Sequence, residues 1–424
     1  MGYPTKKWLS ILGPGVLVAA TGVGAGDLAT AAFTGSRLGL ACLWAVVLGA
    51  GIKYLLNEGL ARWQLVTGDT LLEGVVAHLG RSVVWIFFAY LLAWSFLVAA
   101  VLMSACGAAA HAIWPLFHSA QQDKIAYGVL HSGAALVLIK VGGFRLFAKT
   151  MGICIAAMFA VVIGTALALA PPWQEVAMGI LVPSLPQWRG EGLAWTIGLM
   201  GGVGGTVTIL CYGYWIREEG RESVRALGAC RIDLAVAYAM TGLFGLAMVF
   251  IGSELPPAPG KGVTLIANLA DVLRTQLGAL GPAARWAFLI GAWAAVFSSL
   301  LGVWQSVPYL FADLWPQMKG TRPDRKGTSQ TNKTKSALYA SSLLLLATLP
   351  ISGLVLIEFT QLVKWYSVTG ALFIPMLALA LLILNGQSTW VTKPYRNSPL
   401  TTLLLVGTLL FFLFAGWLVL RSRF

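Results

Sequence analysis

The chain has 424 residues, of which 58% are hydrophobic and 11% are charged, and its formal net charge is +13. Soluble domains contain about 25% charged residues, so this composition excludes a soluble enzyme, a disordered protein and a secreted disulfide scaffold. It predicts an all-α polytopic membrane protein. The basic residues lie mainly in short loops between apolar runs, which is typical of topology signals and not of a nucleic-acid surface.

Eleven apolar runs along the chain are each interpreted as one membrane span, since a crossing helix needs about 20 predominantly apolar residues. The runs are Ile11–Leu38, Leu40–Gln64, Val83–Ile113, Ile125–Ile139, Leu146–Leu169, Leu193–Tyr214, Ile232–Ile251, Arg285–Leu310, Ala337–Ile357, Val363–Leu384 and Leu400–Leu420. The proline-rich stretch Pro256–Gly260 and the basic stretch Lys319–Lys335 are predicted to be loops.

Glycines interrupt the first run at Thr21–Asp27 and the sixth run at Gly201–Thr206. Two interrupted spans at corresponding positions of two halves indicate an inverted-repeat transporter with its site near the midplane. The chain would then be a single transmembrane domain over residues 1–424. One repeat would cover residues 8–170, a second residues 190–385, and an extra helix residues 398–421. The alternative is that the glycines only allow neighbouring helices to pack closely.

Asp27 lies within the first interruption, where a carboxylate costs about 2.5–3.5 kcal/mol on insertion scales and normally faces a cavity or a partner. It is therefore a candidate substrate or ion ligand, although it could instead cap the helix that follows it. The sixth-run interruption offers the Gly205 carbonyl and the hydroxyls of Thr206 and Thr208. Such oxygen atoms suit hard cations such as Mg²⁺ or Mn²⁺, but a threonine in a membrane helix can also bond its own preceding turn.

Four stretches resemble the Nramp family of divalent-metal transporters: Leu12–Ala20, Leu28–Thr30, Leu43–Leu48 and Thr67–Gly68. The resemblance implies a LeuT-type inverted repeat of five plus five helices and an eleventh, with helices 1 and 6 unwound in the membrane. It also implies proton-linked import of Mn²⁺ or Fe²⁺.

The sequence departs from the family pattern at the metal site. Where the family has Asp-Pro-Gly-Asn, Gly24 replaces the aspartate and Asp27 replaces the asparagine, and Thr208 stands at the position of the family methionine. The hypothetical metal ligands are then Asp27, the carbonyls of Gly24 and Gly205, and Thr208. Loss of the thioether shifts the expected cargo towards Mg²⁺ or another hard ion. Leu91–Met103 lacks the acidic residues of the family's proton route, so weak or absent proton coupling is expected.

Lys53 lies midway along the second run and needs a partner there. One hypothesis is an ion pair with Asp27, in which the lysine replaces a coupling ion and a small organic solute or an anion becomes the better substrate. The alternative is that Lys53 snorkels or bonds to carbonyls of a neighbouring helix.

The sequence predicts a secondary transporter of divalent metal cations that works by alternating access. The alternatives are transport of a small organic solute or anion by the same fold, and a membrane sensor without transport. No enzymatic site is expected, no cofactor beyond the metal as substrate, and no partners beyond membrane lipid and the small ion or solute; neither nucleic acid nor an obligate protein partner is predicted. The expected location is the plasma (inner) membrane, with the N-terminus cytoplasmic and the C-terminus outside.

Overall fold

The structure is a computed structural model that describes residues 13–186, 191–255, 264–320 and 336–421. The predicted loop Pro256–Gly260 and all but the first two residues of Lys319–Lys335 lie outside these ranges. Nine helices in the described ranges are long and apolar enough to cross a membrane. Two of them, Asp27–Thr67 and Ala120–Ala168, each extend over two of the predicted runs, so the nine helices account for all eleven.

The spans have the following bounds. The first span consists of Pro14–Gly22, Val23–Thr30 and Ala31–Leu38, the second is Leu43–Thr67, the third is Arg81–Ile113, and the fourth and fifth lie in Ala120–Ala168. The sixth consists of Glu191–Gly202, the 3-10 helix Val207–Cys211 and Tyr212–Glu218, the seventh is Leu227–Ser253, and the eighth is Gly281–Met318. The ninth consists of Ala337–Thr348 and Ile351–Leu356, the tenth of Phe359–Ala371 and Phe373–Leu384, and the eleventh is Pro399–Arg421. Shorter helices are Leu71–Leu79, Trp173–Leu181 and Leu265–Gln276.

The fourth and fifth spans are separated by a reversal of backbone conformation at Gly143, which has φ +61°. A residue with a side chain rarely adopts this conformation, so glycine is favoured where one helix must end and the next begin without a loop.

The first span does not unwind, and this part of the prediction was wrong. Residues Val23–Thr30 form a π-helix, and the flanking residues Gly22 and Ala31 keep right-handed helical angles. A π-helix pairs carbonyls with later N–H groups along the same chain, so most of this backbone is satisfied within the segment itself in an apolar environment. The glycines of this segment therefore widen the helix and do not open it.

The sixth span lies at the centre of the helix bundle. Of an 18-residue apolar segment of this span, 94% lies buried inside the protein, whereas only 22% of the corresponding segment of the eleventh span is buried. Protein, and not lipid, therefore surrounds the sixth span, and an interruption of its backbone can be satisfied by groups on neighbouring helices.

The beginning of the first span is anchored to the seventh span by Asp233; we call this end of the bundle the near end. The buried Asp233 carboxylate accepts hydrogen bonds from the backbone N–H of Gly13 (3.2 Å) and Gly15 (2.8 Å) and from the hydroxyl of Tyr212 (3.1 Å). It also lies 3.4 Å from a guanidinium nitrogen of Arg221. Because Pro14 and Gly13 offer no side-chain cap, Asp233 satisfies the helix N-terminus from another span.

The opposite end of the bundle, where the first span finishes, is called the far end. Here Glu191 at the start of the sixth span pairs with Arg37 of the first span at 3.4 Å and with Lys364 of the tenth. The Arg37 guanidinium also lies 4.7 Å from the centroid of the Trp195 ring. Charged contacts thus join the first and sixth spans to their neighbours at both ends of the bundle.

Replacing Asp233 by Ala is expected to destabilise the protein by about 3 kcal/mol or more, because the buried Gly15 N–H, the partly buried Gly13 N–H and Arg221 lose their acceptor. Thermal unfolding of the purified protein in detergent should show a melting temperature lower by several degrees. The control is Asp271→Ala, which removes a 2.8 Å ion pair with Arg285 from a side chain that is 58% exposed. The control should change stability by about 1 kcal/mol or less, and equal losses in the two variants would contradict the anchor.

Candidate functional site

The sixth span is interrupted at Gly204 and Gly205, as the sequence predicted. The first helical part ends at Gly202, and the next two glycines have φ of +69° and +86°. Gly205 N–H donates to the Gly202 carbonyl at 3.1 Å, and helical structure resumes at Val207. Positive φ values of this kind strongly favour glycine, so the local sequence determines where the helix is interrupted.

The first span crosses the sixth at this interruption. A Cβ atom placed on Gly22 would lie 2.6 Å from the backbone nitrogen of Gly205 and 2.7 Å from the carbonyl carbon of Gly204. Gly24, two residues further, faces the eighth span, where its N–H donates to the Ser299 hydroxyl at 2.7 Å. Close packing, the alternative interpretation of the glycines, therefore explains Gly22 and Gly24 in the first span.

Asp27 contacts the same interruption. It is fully buried, and its Oδ2 accepts a hydrogen bond from the Gly204 N–H at 3.2 Å. Its Oδ1 has no hydrogen-bond partner within the described part of the chain. A carboxylate oxygen is a strong hydrogen-bond acceptor, and burying it without a partner costs free energy. Asp27 Oδ1 is therefore a candidate ligand atom for a cation.

Lys53 binds the carbonyl groups of the interruption. Its fully buried ammonium donates to the carbonyls of Gly201 at 2.7 Å and Val203 at 3.0 Å, and also to that of Gly205. The predicted ion pair with Asp27 is not formed, so that hypothesis was wrong and the carbonyl alternative is correct. The reason is that the freed carbonyls are strong acceptors and all three converge on one point.

The two candidate threonines are both buried beside the interruption. Thr208 Oγ1 lies beside Gly205, at 2.7 Å from the position that a Cβ atom on this glycine would take. The Thr206 methyl group instead faces the tenth span, where it lies 2.6 Å from the position of a Cβ atom on Gly370. The structure therefore brings Asp27, Gly205 and Thr208 together at the interruption, with Thr206 turned towards the tenth span.

Two further residues complete the site and were not assigned to it by the sequence analysis. The Tyr238 ring of the seventh span packs against Gly204, where a Cβ would lie 2.7 Å from its Cε1. The Tyr238 hydroxyl accepts a 3.0 Å hydrogen bond from Nδ2 of Asn57, one helical turn beyond Lys53. A polar residue one turn from a buried lysine was the available signal for Asn57, but no local pattern distinguishes Tyr238.

The chemistry of this site is that of oxygen donors. In the part of the chain that the structure describes, no group of three or more His, Cys, Asp or Glu side chains is placed to hold a metal ion. A cation bound at the interruption would therefore have one carboxylate and otherwise backbone or hydroxyl oxygens, a donor set that suits hard ions.

Comparison with known proteins identifies the family. A family model described as "Natural resistance-associated macrophage protein-like" (Nramp) matches residues 15–421. One curated relative, the divalent metal cation transporter MntH of Burkholderia ambifaria, is 24% identical over 302 residues, which are 69% of this chain and 66% of that protein. MntH of Chromohalobacter salexigens is 26% identical over 276 residues, or 61% and 60% of the two chains. The chain thus spans less than two thirds of these relatives' length.

Solved structures show the same fold. A mutant of the Eremococcus coleocola manganese transporter matches with a TM-score of 0.71 at 16% identity, covering 100% of this chain and 89% of that one. MhsT in complex with L-phenylalanine matches with a TM-score of 0.64 at 16% identity, covering 97% and 98%. The predicted LeuT-type, all-helical fold class is confirmed, apart from the first span, which does not unwind. Since the family model matches nearly all of the sequence, the chain belongs to the Nramp family and is a multi-pass membrane protein.

Replacing Gly22 by Ala is expected to force the first span away from the interruption, because the new Cβ would meet backbone atoms that cannot rotate aside. Overpacking of this kind costs about 1–3 kcal/mol, which thermal unfolding should detect as a lower melting temperature. Gly164→Ala is the matched control, since Gly164 is also helical and nothing lies within 4 Å of its added Cβ. That variant should be neutral or slightly stabilising, and equal melting temperatures for the two variants would contradict the close approach.

Proposed function

We propose that this member of the Nramp family is a secondary transporter of divalent metal cations that works by alternating access. Similarity to the MntH divalent metal cation transporters supports the substrate class and a transporter in preference to an enzyme. The observation that carries the proposal is the buried Asp27 carboxylate. One of its oxygens is held by the Gly204 N–H and the other has no partner among the residues described.

The proposed ligands are Asp27 Oδ1, the Gly205 carbonyl and the Thr208 hydroxyl. Gly24, the other candidate from the sequence, packs against Ser299 of the eighth span, and its carbonyl is therefore not proposed as a ligand. All three proposed ligands are oxygen atoms, so the site lacks the soft ligand with which a transition metal is distinguished from Mg²⁺. The cargo is therefore proposed to include Mg²⁺ or another hard ion beside Mn²⁺ and Fe²⁺. The metal is cargo in this proposal, and no resident cofactor is proposed.

The alternative, transport of a small organic solute or anion, rested mainly on Lys53, and the contacts of Lys53 do not favour it. An ammonium group has three N–H donors, and those of Lys53 have three backbone carbonyls as acceptors, on Gly201, Val203 and Gly205. An anion could bind Lys53 only by taking a donor from a buried carbonyl, which costs free energy.

The two ends of the bundle provide the gates that alternating access needs. Asp233 holds the near end of the first span, and Glu191 holds the far ends of the first, sixth and tenth spans. Because basic loop residues favour the cytoplasmic side, we place the near end in the cytoplasm, the C-terminus outside and the protein in the plasma membrane. No obligate protein partner is proposed.

Uptake into proteoliposomes tests the cargo. Mn²⁺ and Mg²⁺ should both be taken up, with apparent affinities within about tenfold of each other because no sulfur ligand separates them. Asp27→Asn should lower affinity for both ions by about 100-fold or more, since the ion loses its carboxylate. Calorimetric titration of the purified protein measures the same loss without transport.

The matched control is Asp271→Asn, because Asp271 is a largely exposed carboxylate that pairs with Arg285. Uptake by this variant should equal that of the unchanged protein. Absence of saturable binding of either metal to the unchanged protein would reject the proposed substrate class.

A further inference from the structure

The backbone interruption of the sixth span already binds a cation, which is the ammonium of Lys53. The lysine side chain is completely buried and reaches from the second span to the carbonyls of Gly201, Val203 and Gly205. These carbonyls belong to alternate residues of one short segment. Three oxygens directed at one positive centre form a seat for a small cation or a primary ammonium, as in other oxygen-lined sites.

Local geometry explains why these oxygens are free to bind Lys53. In an uninterrupted helix the Gly201 carbonyl would accept from the N–H of residue 205, but that N–H donates to Gly202 instead. The positive φ values of Gly204 and Gly205 then turn the following peptide groups. Without Lys53 three buried carbonyls would lose their donor, each at the cost of an unsatisfied polar group.

Another buried lysine shows that burial alone does not produce this arrangement. Lys124 is also fully buried, but its Nζ has no hydrogen-bond partner within the described ranges. The carbonyl cluster is therefore specific to Lys53. The Gly205 carbonyl, which Lys53 holds, is also one of the proposed metal ligands, so the lysine and a metal ion compete for the same oxygen.

We propose that Lys53 is a tethered cation that occupies the carbonyl seat of the sixth span until a mobile cation displaces it. The existence of the seat is independent of the cargo, whereas displacement by a metal ion rests on the proposed function. Lys53 then sets the affinity for cargo, because a metal ion must compete with a covalently attached ammonium whose effective concentration is high. Asp27, which binds the N–H of Gly204, stays in place to receive the ion.

Chemical rescue tests the seat. Lys53→Ala removes three carbons and the ammonium, which together have the structure of propylammonium. We expect the variant to melt at a lower temperature than the unchanged protein, and propylammonium chloride to restore the melting temperature saturably. Tetramethylammonium chloride at equal ionic strength should have no effect, because this cation has no N–H donor.

Lys124→Ala is the matched control, since it also removes a buried lysine but leaves no carbonyl cluster to fill. Propylammonium should not raise its melting temperature or that of the unchanged protein. Equal responses of all three proteins, or no response of Lys53→Ala, would overturn the seat. If Lys53→Ala folds only when propylammonium is present throughout purification, the seat is supported. If Lys53→Met, which fills the volume without a charge, is as stable as the unchanged protein, it is overturned.

Competition tests the displacement. By calorimetry Lys53→Ala should bind Mn²⁺ and Mg²⁺ about tenfold or more tightly than the unchanged protein. Propylammonium, but not tetramethylammonium, should weaken this binding again, which a change in overall charge would not do. Unchanged affinity in Lys53→Ala would overturn the displacement. Rescue by propylammonium without metal binding to any variant would reject the proposed cargo but keep the seat.

Discussion

In an apolar surrounding every backbone polar group needs a partner inside the protein, and the two unusual spans meet this requirement in different ways. The first span keeps helical angles by forming a π-helix over Val23–Thr30, and Ser299 of the eighth span accepts from its Gly24 N–H and donates to its Ala20 carbonyl. The sixth span lacks regular helical hydrogen bonds at Gly204 and Gly205, and side chains of other spans bind its backbone groups there. Lys53 donates to its carbonyls and Asp27 accepts from its Gly204 N–H. The charges of Lys53 and Asp27 do not form an ion pair. Each is instead stabilised by backbone groups of the same segment, Lys53 by carbonyls and Asp27 by an N–H.

This arrangement connects the centre of the bundle to both of its ends. The first and sixth spans meet where Gly22 lies against Gly205, and each is held by charged groups away from that point. Asp233 binds the beginning of the first span, and Glu191 starts the sixth span and pairs with Arg37. A cation that enters at the centre changes the hydrogen bonds of the segment shared by both spans. In the proposed transport cycle, movement of either span would be coupled to occupancy of the site through these contiguous contacts.

Much of the fold could be predicted from hydropathy, because every apolar run must pair its own backbone and becomes a helix. The interruption of the sixth span was also predictable, since adjacent glycines accept positive φ values that other residues resist. The first span was not, because glycine content alone does not determine whether a carbonyl finds an N–H five residues later. The acceptor of Lys53 was likewise beyond local reasoning. A buried lysine needs a partner, but only the packing of the second span against the sixth selects the carbonyls of Gly201, Val203 and Gly205.

The charges at the site also bear on how the proposed transporter would reorient when no ion is bound. A buried carboxylate without compensation is costly, and moving it through an apolar region with each cycle would add to the barrier. With Lys53 on the sixth-span carbonyls and Asp27 on the Gly204 N–H, the formal charge of the empty site is zero. A divalent ion that displaces the ammonium leaves Lys53 near the site, so part of its attraction to Asp27 is offset by repulsion. On this proposal, the same lysine would stabilise the site without an ion and would weaken binding of the transported ion, which would favour its release.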